Sequence, residues 1–388
     1  MRSHPHPLKG TRIFFVFGCL DLGGSERQGL RLAAYLKEEC GADVRVIGLR
    51  DKTGPVADLC DREKIPWHAV RFSWPRFWPL RLKELARFSR WLRTRKPDIL
   101  MPYYTLPNTV CGLTWKRGGA RLCIWNQRDA GLILTRGFWH RKAIGEVPLF
   151  IANSMEGREF LVRTYGLETE RISLVHNGVL LPPPLRNREE WRSDLGLTND
   201  DFVACMIANL GPYKDHATLL NAWKEVIKKS ANHARPILLI AGKPDGSEKQ
   251  LRKLAEQLGL GTSVIFLGSV DDISGLLSSA DLCIHSSISE GCPNGVLEAM
   301  AAGLPVVATD LPGIREAVGP EGLRFLAPPG NPLGLAEEIL LFQNDPELRK
   351  QIGSHMKDRI EAEFSVSRLG EKTAEILCNA LEVRKGTT

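Results

Sequence analysis

Short apolar runs alternate with longer amphipathic stretches along the whole chain, and this alternation limits the fold more than any other feature. Runs that are apolar throughout and too short for helices read as strands buried on both faces. Amphipathic stretches between them read as crossover helices, so the chain is α/β with parallel sheets. In the first half the candidate strands are 13–17, 44–49, 99–102, 122–125, 149–152 and 172–175, with helices such as 27–37 and 154–164. In the second half the strands are 202–207, 237–240, 264–266, 282–285 and 306–308, and the helices are 215–228, 247–258, 273–278 and 294–302. Between the two sets stands Pro182-Pro183-Pro184, which neither a helix nor a central strand can accommodate. The expected organisation is therefore an N-terminal domain over 1–180, a linker over 181–189 and a second domain over 190–365. A final helical stretch, 366–388, can pack back on the N-terminal domain. At 388 residues, 43% of them hydrophobic, the chain has material for two cores.

Several function classes drop out early. The nine cysteines are odd in number and show neither metal-ligand spacing nor a CxxC pair, which fits reduced thiols in a cytoplasmic protein. The apolar run 13–20 is too short to span a membrane and no small-residue cleavage site follows it. No Asp-x-Asp occurs, and no His/Cys/Asp cluster has metal-ligand spacing, so no cofactor or metal is expected. The net charge of +7 is concentrated: residues 71–96 hold nine Arg or Lys against one Glu. A local patch of that kind suggests an anionic partner, but no nucleic-acid-binding module accompanies it.

The strongest chemical signal is Ser289-Glu290-Gly291-Cys292-Pro293-Asn294-Gly295-Val296-Leu297-Glu298, which follows a buried strand and opens a helix. Unpaired amides and the dipole at a helix start make a phosphate site, and Pro293 is tolerated there. The amides of Asn294, Gly295 and Val296 would face a diphosphate. Glu298, one turn on, can accept two hydrogen bonds from a ribose diol, and Glu290 lies before the helix where it can hold sugar hydroxyls. Two more segments follow first strands. Gly23-Gly24 precedes a helix and permits close backbone approach. Asn209 to His216 carries Lys214, a point charge suited to phosphate.

Glu290 and Glu298, with Phe266-Leu267-Gly268, Ala280-Asp281 and the run Glu298 to Thr309, resemble the E-x7-E block of family 4 glycosyltransferases. The resemblance implies the GT-B fold, with two Rossmann-like domains facing across a cleft that holds the active site. It implies a retaining, metal-independent glycosyl (hexosyl) transfer from a nucleotide-sugar, at family level a UDP-sugar, to a glycan or lipid-linked acceptor in cell-surface polysaccharide or glycoconjugate synthesis. Attack from the front face, with the leaving phosphate taking the acceptor proton, needs no general base. Lys214 and the helix amides then carry the diphosphate charge, and Gly23 and Gly24 lie near the diphosphate and acceptor.

Two departures stand out. Asn209 occupies the place of an arginine that the family uses on the diphosphate. After the fifth strand, Trp125-Asn126-Gln127-Arg128-Asp129 offers no histidine where many relatives have one. Arg128 either faces the cleft, toward donor phosphate or acceptor, or pairs locally with Asp129. Alternative readings of the chain are a GT-B sugar-nucleotide 2-epimerase and a non-catalytic transferase-like subunit.

In the basic segment, Leu82, Leu85, Phe88 and Leu92 recur at helical spacing, with Lys83, Arg87 and Arg90 on another face and Trp74, Phe77 and Trp78 just before. Such a helix suits docking on an anionic lipid surface, which would make the protein peripheral on the inner face of the membrane. The alternative is that the apolar face packs on the sheet.

Overall fold

Strand β1, Arg12–Phe17, shows why the first half folds as it does. Ile13, Phe15 and Phe17 enter one core, and Phe14 and Val16 enter another, because successive strand side chains point to opposite faces. In the computed structural model, which describes residues 6–131, 137–230 and 235–385, β1 is joined by β2 (Asp43–Gly48), β3 (Trp67–Ala69), β4 (Ile99–Pro102), β5 (Leu122–Gln127), β6 (Leu149–Ala152) and β7 (Ile172–Leu174). The order is β3-β2-β1-β4-β5-β6-β7, and the pairs are parallel. One core takes Leu32 and Leu36 of the helix Gly24–Glu38 and Leu377 and Leu381 of the helix Val366–Lys385. The other takes Leu85, Phe88 and Leu92 of Trp78–Arg95 and Val110 and Trp115 of Thr105–Gly118.

The chain divides into two units, Met1–Gly178 with Val366–Thr388, and Val179–Ser365. The helix Val366–Lys385 crosses Gly24–Glu38 at a glycine: a Cβ on Gly370 would lie 2.2 Å from Tyr35 Cδ1. The second unit holds β8 (Phe202–Ile207), β9 (Pro236–Ala241), β10 (Val264–Gly268), β11 (Leu282–His285), β12 (Val306–Thr309) and β13 (Leu326–Ala327). Their order is β10-β9-β8-β11-β12-β13, again parallel. Each unit is thus a Rossmann-like sheet with crossover helices.

Several expectations need correction. The stretch 181–189 falls inside the second unit, where the Leu185 and Arg186 amides donate to the Asp272 carboxylate at 3.0 and 3.1 Å. Strands β3 and β13, three and two residues long, were not foreseen. Leu85, Phe88 and Leu92 are buried, but Leu82 is exposed. The apolar face of Trp78–Arg95 is therefore spent on the first core. Withdrawing those three side chains would cost about 1.5–3 kcal/mol each, so that face does not meet a membrane. The exposed aromatics Phe77 and Trp78 and the cations Lys83, Arg87 and Arg90 remain on the surface. Among the described residues no helix is long and apolar enough to cross a membrane.

Candidate active site

In each sheet the strand order reverses at one place, and loops leaving the carboxyl ends of the two strands there part to opposite sides, which opens a crevice. In the second unit the reversal lies between β8 and β11. The loop after β8 carries Asn209 and Lys214, and the loop after β11 carries Glu290. Residues 76 positions apart thereby meet: Lys214 Nζ donates to Glu290 Oε1 at 2.5 Å.

Two residues without any sequence signal complete the arrangement. His285 Nε2 lies 2.7 Å from Glu290 Oε1, and Ser287 Oγ donates to the same oxygen at 2.7 Å. The Ser287 backbone is itself fixed, its amide donating to Thr309 Oγ1 at 2.9 Å and its carbonyl accepting from it at 2.8 Å. Three groups thus converge on Oε1, and Oε2 has no protein partner among the described residues. Glu290 is 8% exposed. Burial pushes its carboxyl up, but the Lys214 ammonium and the His285 ring outweigh burial and hold it well below the usual carboxylate range. The carboxylate is therefore ionised, held by one oxygen, and free to accept hydrogen bonds at the other. Lys214 gives one N–H to Glu290 and has two more for an anion.

The helix Asn294–Ala301 begins directly after this loop, with Pro293 at its N-cap. Gly295 is required where it stands: a Cβ would lie 2.3 Å from the Ile207 carbonyl oxygen, so the helix start sits against the end of β8. Val296 and Glu298 are buried in its first turns, and Asn294 is half-buried. Asn209 is exposed just past β8, its carbonyl accepting from the Gly211 amide at 2.8 Å. Lys214, Glu290, Asn209 and the start of Asn294–Ala301 thus lie at one end of one sheet. Behind them is His216, 2% exposed, with neither ring nitrogen partnered among the described residues. Burial, reinforced by His285 and Lys214, brings its pKa down to about 4.

The first unit reverses between β1 and β4. Gly23 caps the helix Gly24–Glu38, and a Cβ there would lie 2.7 Å from Glu26 Oε2. Burial raises the Glu26 carboxyl, opposed by hydrogen bonds from its own amide and that of Gly23. The Gly23 amide is thus turned toward the Glu26 carboxylate. After β4, Tyr104 adopts φ 72° and ψ 166°, a region that side chains other than glycine rarely enter, and burial pushes its phenol up, opposed by the nearby Ser25 hydroxyl. Arg128 is not paired with Asp129. Its Nη2 donates to Asn177 Oδ1, its guanidinium lies 5.5 Å from the Tyr103 ring centroid, and its Nε is buried with no partner among the described residues. Asp129 Oδ1 accepts from the Gly131 amide at 2.6 Å. The Asn177-Gly178 turn is tied to Gln28, whose Nε2 donates to the Gly178 carbonyl and whose Oε1 accepts its amide, both at 2.9 Å.

Two family models match: glycosyltransferase family 4 over residues 22–181 and glycosyl transferases group 1 over 187–359. Among curated relatives, a D-inositol 3-phosphate glycosyltransferase of Streptomyces bingchenggensis is 29% identical over 61% of this chain and 54% of its own length. The putative glycosyltransferase EpsD of Bacillus subtilis is 32% identical over 57% of this chain and 54% of its own. The chain spans about half the length of these two relatives. Among solved structures, Anabaena HepE in complex with UDP and glucose superposes with a TM-score of 0.80 at 22% identity, covering 95% of this chain and 99% of that one. A Rickettsia africae glycosyltransferase gives 0.81 at 20% identity over 96% and 99%. These likenesses show the GT-B fold. With both halves matched by models of one group, the chain belongs to the family 4, group 1 glycosyltransferases.

Proposed function

We propose that the protein transfers a hexosyl group from a nucleotide-sugar, a UDP-sugar, to a glycan or lipid-linked acceptor in polysaccharide or glycoconjugate synthesis, with retention at the anomeric carbon. The observation that carries this reading is the convergence of Lys214, Glu290 and the start of Asn294–Ala301 at the strand-order reversal of the second unit. Lys214 and the amides of Asn294, Gly295 and Val296 take the diphosphate, supplying positive charge as the leaving group departs. Asn209 adds a neutral donor. Glu298 accepts from the ribose diol. Glu290, steadied on Oε1 by His285 and Ser287, presents Oε2 to the sugar hydroxyls. Gly23 and Gly24 lie near the donor diphosphate and the acceptor, and Arg128 meets donor phosphate or acceptor. The leaving phosphate accepts the acceptor's proton, so no protein base is assigned. HepE, described with UDP, with UDP and glucose and with UDP-glucose, supports a uridine donor. The setting proposed is the cytoplasm, at the inner face of the membrane.

The test is a thermal-shift panel of UDP-, GDP- and other nucleotide-sugars on the wild type and Lys214→Ala. Binding to the folded state raises the melting temperature. A shift for one nucleotide class, lost in the variant, is the expected result. No shift with any nucleotide-sugar overturns the reading.

A further inference from the structure

We propose that the first unit carries a pocket for the apolar chain of a lipid-phosphate-linked acceptor, with Trp74 and Trp139 as walls and Arg81 placed to pair with the phosphate. The inference rests on the glycosyl-transfer reading above and narrows its acceptor to one chemical class.

The pocket has a volume of about 280 Å³ and lies where the start of Trp78–Arg95 meets Thr105–Gly118 and Phe138–Glu146. The Trp74 and Trp139 rings stand at 85°, centroids 6.5 Å apart, and Leu106 adds a third apolar surface. Arg81 lies over Trp74 at 4.5 Å and within 5.7 Å of the Trp139 centroid. Its Nε and Nη2 donate to the Pro75 carbonyl at 3.0 and 2.7 Å. Nη1 has no partner, and no carboxylate pairs with this guanidinium, among the described residues. A cation positioned by a backbone carbonyl and an aromatic face, rather than by an acid, keeps its full charge for a ligand.

Polarity changes across this part of the molecule in one direction. Thr105 and His140 also line a second, small recess with Asn108, Gln127 and Arg128, at the carboxyl end of β5. The two cavities therefore share a wall, with polar groups toward the strand ends and apolar ones beyond. Phe77 and Trp78 lie between the lining residues Trp74 and Arg81 in sequence and Phe138 packs on Trp139, and these three aromatics are 62%, 59% and 70% exposed. Arg76, Lys83 and Arg90 stand nearby in sequence without acidic partners among the described residues. An amphiphile is complementary to this sequence of surfaces: its head lies at the strand ends, its phosphate meets Arg81, and its chain lies along the wall formed by the two tryptophans and Leu106. A free glycan would place hydroxyls against Leu106 and the tryptophan edges, where few polar groups answer them.

The probe is farnesyl phosphate below its micelle concentration, titrated calorimetrically against wild type, Trp139→Ala, Arg81→Gln and Leu106→Glu. Inorganic phosphate and farnesol are the half-ligand controls. Leu106 is exposed, so its replacement tests the pocket without disturbing a core. The expected result is farnesyl phosphate binding at least about tenfold tighter than either control, because chain and head contribute together. Trp139→Ala and Leu106→Glu lose that advantage, and Arg81→Gln reduces farnesyl phosphate to the level of farnesol. The UDP-glucose thermal shift stays intact in all three variants. Farnesyl phosphate binding no tighter than phosphate, or unchanged in Leu106→Glu, overturns the proposal. A wild type that binds farnesyl phosphate as described but no nucleotide-sugar removes the transferase reading and leaves the pocket standing.

Discussion

His216 offers a quantitative test of the second unit's interior. The ring is 2% exposed, both nitrogens are unpartnered among the described residues, and burial first, then His285 and Lys214, lower its pKa from 6.5 to about 4. A lowered folded-state pKa means that the unfolded chain binds this proton more tightly. The associated stability is complete above pH 6.5 and is lost as the pH falls toward about 4. Going from about pH 7 to about pH 5, the unfolded histidine becomes almost fully charged while the folded one stays mostly neutral, a difference of about 2 kcal/mol. His216→Leu removes the titration, keeps a similar volume and eliminates two unsatisfied buried nitrogens. Urea unfolding of both proteins at the two pH values should show the wild type losing about 2 kcal/mol more than the variant. Equal losses would refute the claim that the ring is held neutral by burial.

Three further outcomes are expected. Glu290→Gln should lower turnover by roughly a hundredfold or more while leaving UDP affinity within about threefold, because it removes charge from the sugar side of the site and not from the diphosphate side; a variant turning over at the wild-type rate would sink the role. Gly295→Ala should destabilise the second unit by about 1–3 kcal/mol in denaturant unfolding, since its Cβ would fall 2.3 Å from the Ile207 carbonyl oxygen; a neutral effect would mean that the helix start can shift away. Tyr104→Gly should relieve about 1–3 kcal/mol of backbone strain and raise the stability of the first unit; a loss of stability there would show that the Ser25 contact outweighs the strain.

Most strands were legible because a parallel strand buried on both faces leaves an unbroken apolar run, as in Ile237 to Ile240. Trp67–Ala69 and Leu326–Ala327 were not, since two or three residues carry no period. The helical spacing of Leu82, Leu85, Phe88 and Leu92 identified a face correctly, but period does not say where along a helix the covering layer ends, and Leu82 lies beyond it. Lys214 and Glu290 could be brought together from topology, since both follow strands that flank a reversal of order. His285 and Ser287 could not: His285 ends an apolar run and reads as core, and its hydrogen bond depends on how the Ser286–Pro293 loop turns back. Tyr104 gave no warning either, because tyrosine is not a residue that marks a left-handed turn.

The helix Val366–Lys385 has a consequence for the order in which the protein can be made. It closes a core begun by Ile13, Phe15 and Phe17, yet it leaves the ribosome only after the whole of Val179–Ser365 has been synthesised. Until then Leu32 and Leu36 lack the cover of Leu377 and Leu381, and Tyr35 lacks Gly370. The unit begun first is therefore finished last. The middle unit can complete its core during translation, while the amino-terminal one waits with an apolar strip exposed for chaperones, or for a neighbouring nascent chain, to find.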